Sequence, residues 1–85
     1  MGKIKRPVPA KLGEKLKTIR DNLGLTQEQL IEKLDCASIS LHRAHISKYE
    51  NGLREPPLIV LLQYARLAKV SIDDLADDEV DLTLK

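Results

Sequence analysis

The densest set of hydrogen-bond donors in the chain lies in one short stretch: His42, Arg43, His45, Ser47 and Lys48. Between Lys33 and Lys48 the only acid is Asp35. Side chains of this kind offer N–H and O–H groups with little competing carboxylate, which is what phosphate oxygens and purine edges accept. Other chemistries are poorly provided for. Cys36, His42 and His45 match no common four-ligand zinc spacing, so no metal is expected. Cys36 reads as a small, half-buried apolar residue rather than a redox sensor. No nucleophile–base set, Gly-rich phosphate loop or carboxylate pair stands out, so neither an enzyme nor a cofactor is expected.

The donors need a rigid element to carry them, and the flanking sequence supplies helices. Leu12, Leu16, Ile19 and Leu23 recur at helical spacing, with Pro9 suited to start that helix and Gly24 to stop it. Thr26 and Gln29 form a capping-box pair ahead of Leu30, Ile31 and Leu34. Asp35–Leu41 shows no period and reads as a long turn or frayed extension. His42 or Arg43 opens a third helix, with Ile46 and Tyr49 on its inner face and Asn51-Gly52 ending it in left-handed backbone. A fourth helix follows Glu55-Pro56-Pro57, with Leu58, Leu61, Leu62, Ala65 and Ala68 as its expected core face. Ser71 caps a short fifth helix, with Asp73 and Asp74 in its first turn and Ile72 and Leu75 docking it. Val80–Leu84 alternates as a short strand would, although a lone strand at a chain end is more often disordered. Five short helices with brief connections predict an all-α globule.

Composition limits the partners. A chain of 85 residues holds one domain at most, and without Phe or Trp its core must come from Leu, Ile, Val and Ala. The net charge of +1 is uninformative, but its distribution is not. Lys3, Lys5, Arg6, Lys11, Lys15, Lys17 and Arg20 face only Glu14 in the first twenty residues. Asp73, Asp74, Asp77, Asp78, Glu79 and Asp81 face only Lys85 at the other end. A basic head and an acidic tail suit a charged partner; solvated termini are the plainer reading. The expected organisation is a basic flexible tail (1–8), a helical domain (9–77) and an acidic tail (78–85). Lys3, Lys5 and Arg6 would be either an arm along DNA or an idle tail. The acids would cap helix 5 in part and otherwise be solvated, with partner binding or self-masking as the alternative. One cysteine allows no internal disulfide, no apolar run approaches the ~18 residues of a membrane span, and no signal peptide is recognisable. A cytoplasmic protein is expected.

Two short helices joined by a turn can cross steeply, leaving the second free to enter a major groove about 12 Å wide. Here the chain resembles the lambda-repressor-like (Xre/Cro-type) helix-turn-helix domains. The matching segments are Leu16–Arg20 (LKTIR), Gly24–Leu34 (GLTQEQLIEKL), Ile46–Gly52 (ISKYENG), Arg54–Pro57 (REPP), Leu61–Ala68 and Val70–Leu75 (VSIDDL). They span roughly residues 10–76. The resemblance implies a compact five-helix DNA-binding domain, usually acting as a dimer on a palindromic operator. It implies that Gln27 anchors a phosphate, that Arg43, Ala44, Ser47 and Lys48 meet bases, and that Asn51 and Arg54 lie near the DNA backbone. Arg43 would read guanine and Ala44 touch a thymine methyl; His42 and His45 would face solvent or phosphate. Glu50 would be structural. The chain departs from the pattern in one place. Leu34 to Ile46 is longer by about five residues than a tight helix-turn-helix connection.

The expected partner is therefore double-stranded DNA, bound by a homodimeric transcription regulator, most simply a repressor. Ile59, Val60, Tyr64 and Leu67 give helix 4 a second apolar face, from which a dimer contact through Val60, Tyr64 and Leu67 is expected. The alternative is a protein-interaction module, such as an antitoxin or adaptor subunit, that uses this face to bind another protein.

Overall fold

The computed structural model describes residues 10–34 and 39–82. The basic tail 1–8, the start at Pro9, Cys36 and Thr83–Lys85 lie outside the described residues. Within them are five helices: α1 (Leu12–Leu23), α2 (Gln27–Lys33), α3 (Arg43–Glu50), α4 (Leu58–Ala68) and α5 (Ile72–Ala76). The described residues contain no strand. Val80–Leu82, where alternation hinted at one, instead lies against α1: the Val80 carbonyl accepts a bond from Lys15, and Leu82 packs on the core.

Local signals end the helices as their chemistry requires. Gly24 takes left-handed backbone (φ 68°) at the end of α1. Thr26 and Gln29 exchange reciprocal bonds at the start of α2, as do Ser71 and Asp74 at α5. At the end of α3 only Gly52 is left-handed (φ 72°); Asn51 is not (φ −92°). Between Leu34 and Ile46, where the connection is longer than in a tight helix-turn-helix, α2 has ended at Lys33 and α3 begins at Arg43. Ile39 and Leu41 from that connection pack partly on the core.

All five helices contribute to one core, with Leu16, Ile19, Leu30, Ile46, Val60, Tyr64 and Leu75 fully buried. The orientation of α4 differs from the expectation. Val60, Leu61, Tyr64 and Ala65 face inward, Leu62 and Ala68 are half-buried, and Leu58 is 71% exposed. Tyr64 is the largest fully buried side chain; with it at the centre, helical periodicity brings Val60 in and turns Leu58 and Ile59 out. The expected dimer contact through Val60, Tyr64 and Leu67 is corrected accordingly. Val60 and Tyr64 have no exposed surface to offer a second copy, and Leu67 is half-buried. Leu23, expected on the buried face of α1, is also exposed.

Two features fix α1 against the rest. At Gly13 the backbone of α1 meets the end of α3 so closely that a Cβ would stand 2.7 Å from the carbonyl oxygens of both Tyr49 and Glu50. On the adjacent side, the buried Lys15 ammonium donates to the carbonyls of Asp74 (2.7 Å), Asp77 (2.8 Å) and Val80 (2.7 Å). Its three N–H groups thus meet three acceptors, which compensates the loss of water around a charged group. Asp78 completes this clasp by accepting the backbone N–H groups of Ala10 (2.8 Å) and Lys11 (2.9 Å), unpaired donors at the start of α1. These bonds, Lys11 first and then Ala10, hold the Asp78 carboxyl below its ordinary range.

Two outcomes follow. Gly13→Ala should destabilise the fold by about 2 kcal/mol through overpacking, seen by calorimetry as a clearly lower melting temperature. Because Asp78 has a depressed folded pKa, its contribution is present above the unfolded carboxylate range and disappears as pH falls through the folded value. Asp78→Asn should therefore melt below the parent at pH 7, with the gap closing as acid protonates the Asp78 carboxyl in the folded state.

Candidate nucleic-acid interface

Helix α3 is anchored on one side and open on the other. Ile46 and Tyr49 are buried against α1 and α2, whereas Arg43, Ala44, Lys48 and Asn51 are exposed and Ser47 is half-buried. Residues 43, 47 and 51 form one row of the helix, with 44 and 48 beside it, so these five side chains share a continuous face. Arg54 is exposed just beyond the helix, and Gln27, half-buried, opens α2.

An ion pair decides which charges that face carries. Arg20 from α1 grips Glu50 with both ends of its guanidinium, Nε to Oε2 at 2.7 Å and Nη2 to Oε1 at 3.0 Å. Its remaining Nη1 donates to the Leu25 carbonyl at 3.0 Å, at the α1–α2 junction. The bond to Glu50 holds Arg20 still more firmly protonated than usual. The Glu50 side chain is only 4% exposed, so the one acid of α3 is turned away from the open face. The Gln27 amide also reaches Glu50, Nε2 to Oε1 at 3.4 Å. The expected phosphate anchor is thus tied to the same carboxylate that fixes the end of α3. Arg43 has a looser neighbour, Glu28 Oε1 at 4.0 Å, with both side chains about 70% exposed; such a contact holds neither in place.

The remaining expected residues separate by face. Asn51 Nδ2 donates to the Ser47 carbonyl at 2.9 Å and to Ser47 Oγ at 3.3 Å, so it is folded back along the helix. His42 and His45 fall on the stripe of Tyr49, three and four residues apart along it, and not on the row of Arg43, Ser47 and Asn51. Their rings stack with centroids 5.5 Å apart, and His45 stacks in turn on Tyr49 at 6.5 Å. His45 is half-buried, and its Nδ1 accepts the backbone N–H of His42 at 3.0 Å. The C-terminal acids are engaged elsewhere: Asp74, Asp77 and Asp78 bond to backbone N–H groups of Ser71, Glu79, Ala10 and Lys11. Sequence reasoning missed Gly13, Lys15 and the Arg20–Glu50 pairing. For Lys15 a signal existed, since it lies on the same helical stripe as Leu12, Leu16 and Ile19. Among the described residues no three His, Cys, Asp or Glu side chains converge as a metal site needs, and no helix is long and apolar enough to cross a membrane.

The profile of the helix-turn-helix family matches residues 16–75. The chain is 39% identical over 70 residues to the HTH-type transcriptional regulator ImmR of Bacillus subtilis (strain 168), a match covering 81% of this chain and 51% of that protein. It is 38% identical over 71 residues to the HTH-type transcriptional activator BcrR of Enterococcus faecalis, covering 84% and 32% respectively. The chain thus spans about half the length of one relative and a third of the other.

The ion pair can be tested directly. Glu50→Gln and Arg20→Met should each cost about 2 kcal/mol, because each leaves a poorly hydrated polar partner uncompensated. The double variant should cost much less than the two together, and chemical denaturation of all four proteins gives this coupling.

Proposed function

As this chain belongs to the helix-turn-helix family, we propose that it is a sequence-specific DNA-binding transcription regulator whose reading element is α3. The observation that carries this reading is the open face of α3. Arg43, Ser47 and Lys48 stand on a helix whose opposite side is buried and whose only acid is withdrawn by Arg20. Arg43 supplies a planar fork suited to guanine O6 and N7, Ala44 a methyl for thymine, and Lys48 a charge for bases or phosphate. Gln27 and Arg54 flank the helix as backbone contacts, and Asn51 lies at its C-terminal end. Lys3, Lys5 and Arg6 would add phosphate contacts. They join the folded body at Ala10, which shares a cleft with Gly52 and Arg54 just past α3.

The simplest mode of action is a homodimer that occupies a palindromic operator and blocks transcription, its two reading helices about 34 Å apart. One relative is named an activator, so the position of the operator would decide the direction of control. With Val60 and Tyr64 in the core, a dimer contact would use Leu53, Leu58 and Ile59, which are exposed between α3 and the first turn of α4. For the alternative of a protein-interaction module, Val60 and Tyr64 are internal, so its α4 contact would be confined to Leu58 and Ile59.

The test begins with selection of bound duplexes from a random pool, followed by affinity and stoichiometry on the selected site. Arg43→Ala should bind about tenfold more weakly and tolerate substitution at one base pair. Lys48→Ala should lower the salt dependence by about one ion if it meets phosphate. Two chains per duplex and a symmetric selected site are expected. Undiminished binding by the combined Arg43→Ala and Lys48→Ala variant would remove α3 from the reading role.

A further inference from the structure

We propose that His45 is a positioning residue of the reading helix: a neutral imidazole that holds the first turn of α3 in place, so that selective DNA binding weakens when the ring is protonated. This rests on the DNA-binding reading above and adds a residue that acts through the helix rather than on the duplex.

The geometry starts from helix capping. At α2 and α5 the third helical residue, Gln29 or Asp74, reaches back to accept the N–H of the capping residue. In α3 the same position is His45, and the bond is His42 N–H to His45 Nδ1 at 3.0 Å. An imidazole nitrogen accepts only without a proton, so this bond requires the tautomer with hydrogen on Nε2. The ring is held in that orientation by stacking between His42 and the buried Tyr49. A second proton would set one N–H against another and remove the cap. It would also place a positive charge in the first turn, where the helix dipole is already positive.

The surroundings give the sign. From α3 itself the ring faces His42 and Tyr49, with Arg43 and Lys48 on neighbouring rows. From the segment after α3, Arg54 and Glu55 line the same cleft, one cationic and one anionic. Among the described residues the other walls, Ile39, Ser40 and Leu41 before α3 and Leu58 and Leu61 from α4, carry no charge. Loss of the cap loosens the turn that carries Arg43 and Ala44. Added positive charge has the opposite effect on indiscriminate binding, since it strengthens attraction to any phosphate backbone. The signature is therefore a falling ratio of selective to nonselective affinity once the His45 ring carries a second proton.

The experiment compares affinities for a selected duplex and a scrambled duplex at pH 7.5 and 5.5, in the full chain and in His45→Gln. Glutamine accepts the same bond without titrating. The selectivity ratio should fall about fivefold on acidification in the parent, the scale of losing one cap, and stay level in His45→Gln. An equal fall in both proteins overturns the proposal. Imidazole nitrogen NMR on the free protein reads the cap without DNA. The expected result is an unprotonated Nδ1 at pH 7.5 and a His42 amide shift that titrates with the His45 ring. A proton on Nδ1 at pH 7.5 overturns the proposal whatever the DNA result. If no duplex is bound selectively while the NMR result holds, it is the functional reading that fails and the capping role that stands.

Discussion

The candidate surface depends above all on the bond between Arg20 and Glu50. A carboxylate on α3 would make that face acidic if it pointed outward, and would be costly to bury if left unpaired. Arg20 resolves both problems by taking both carboxylate oxygens in a forked grip while its last nitrogen closes the α1–α2 junction. Three elements are thereby registered to one charge: α1 through Arg20, α2 through Gln27, and α3 through Glu50 itself. The outward face of α3 is basic because its acid has been used internally.

Helix α1 is the organising element on its other sides as well. Its glycine lets the backbone of α3 approach to contact distance, and its buried lysine gathers three carbonyls from α5 and the segment after it. Asp78 caps its start from the far end of the sequence. The acidic C-terminal stretch is thus used in part to close the fold. The lysine ammonium and the Asp78 carboxylate meet backbone groups of opposite polarity, so the clasp consists of charge-assisted hydrogen bonds to the main chain rather than ion pairs.

Local chemistry made the helices and their ends legible in the sequence. Thr26 with Gln29, Gly24, Ser71 with Asp74, and the inward pair Ile46 and Tyr49 all behave as their types and spacing dictate. What escaped were relations between distant positions. Nothing local distinguishes Gly13 from any other helical glycine until α3 is laid across it. The two apolar faces of α4 were visible, but choosing between them required knowing where Tyr64 finds room, and that depends on four other helices. The sequence pattern grouped His42 and His45 with Arg43, Ser47 and Lys48 on one face of α3, whereas the two rings lie on the stripe of Tyr49. Their separation depends on the bond from His42 N–H to His45 Nδ1, which donor-rich composition alone does not reveal.

The long connection between α2 and α3 gains meaning from the contacts that bypass it. In a tight helix-turn-helix the turn itself dictates the angle between the two helices. Here α3 is also held by α1, through Gly13 and Arg20, and by Gln27 of α2, contacts that do not pass through the connection. The entropy of closing a connection rises slowly, about 0.6 kcal/mol for each doubling of length. Length added to this connection would thus carry a small closure cost, and the contacts that seat α3 on α1 and α2 lie outside it.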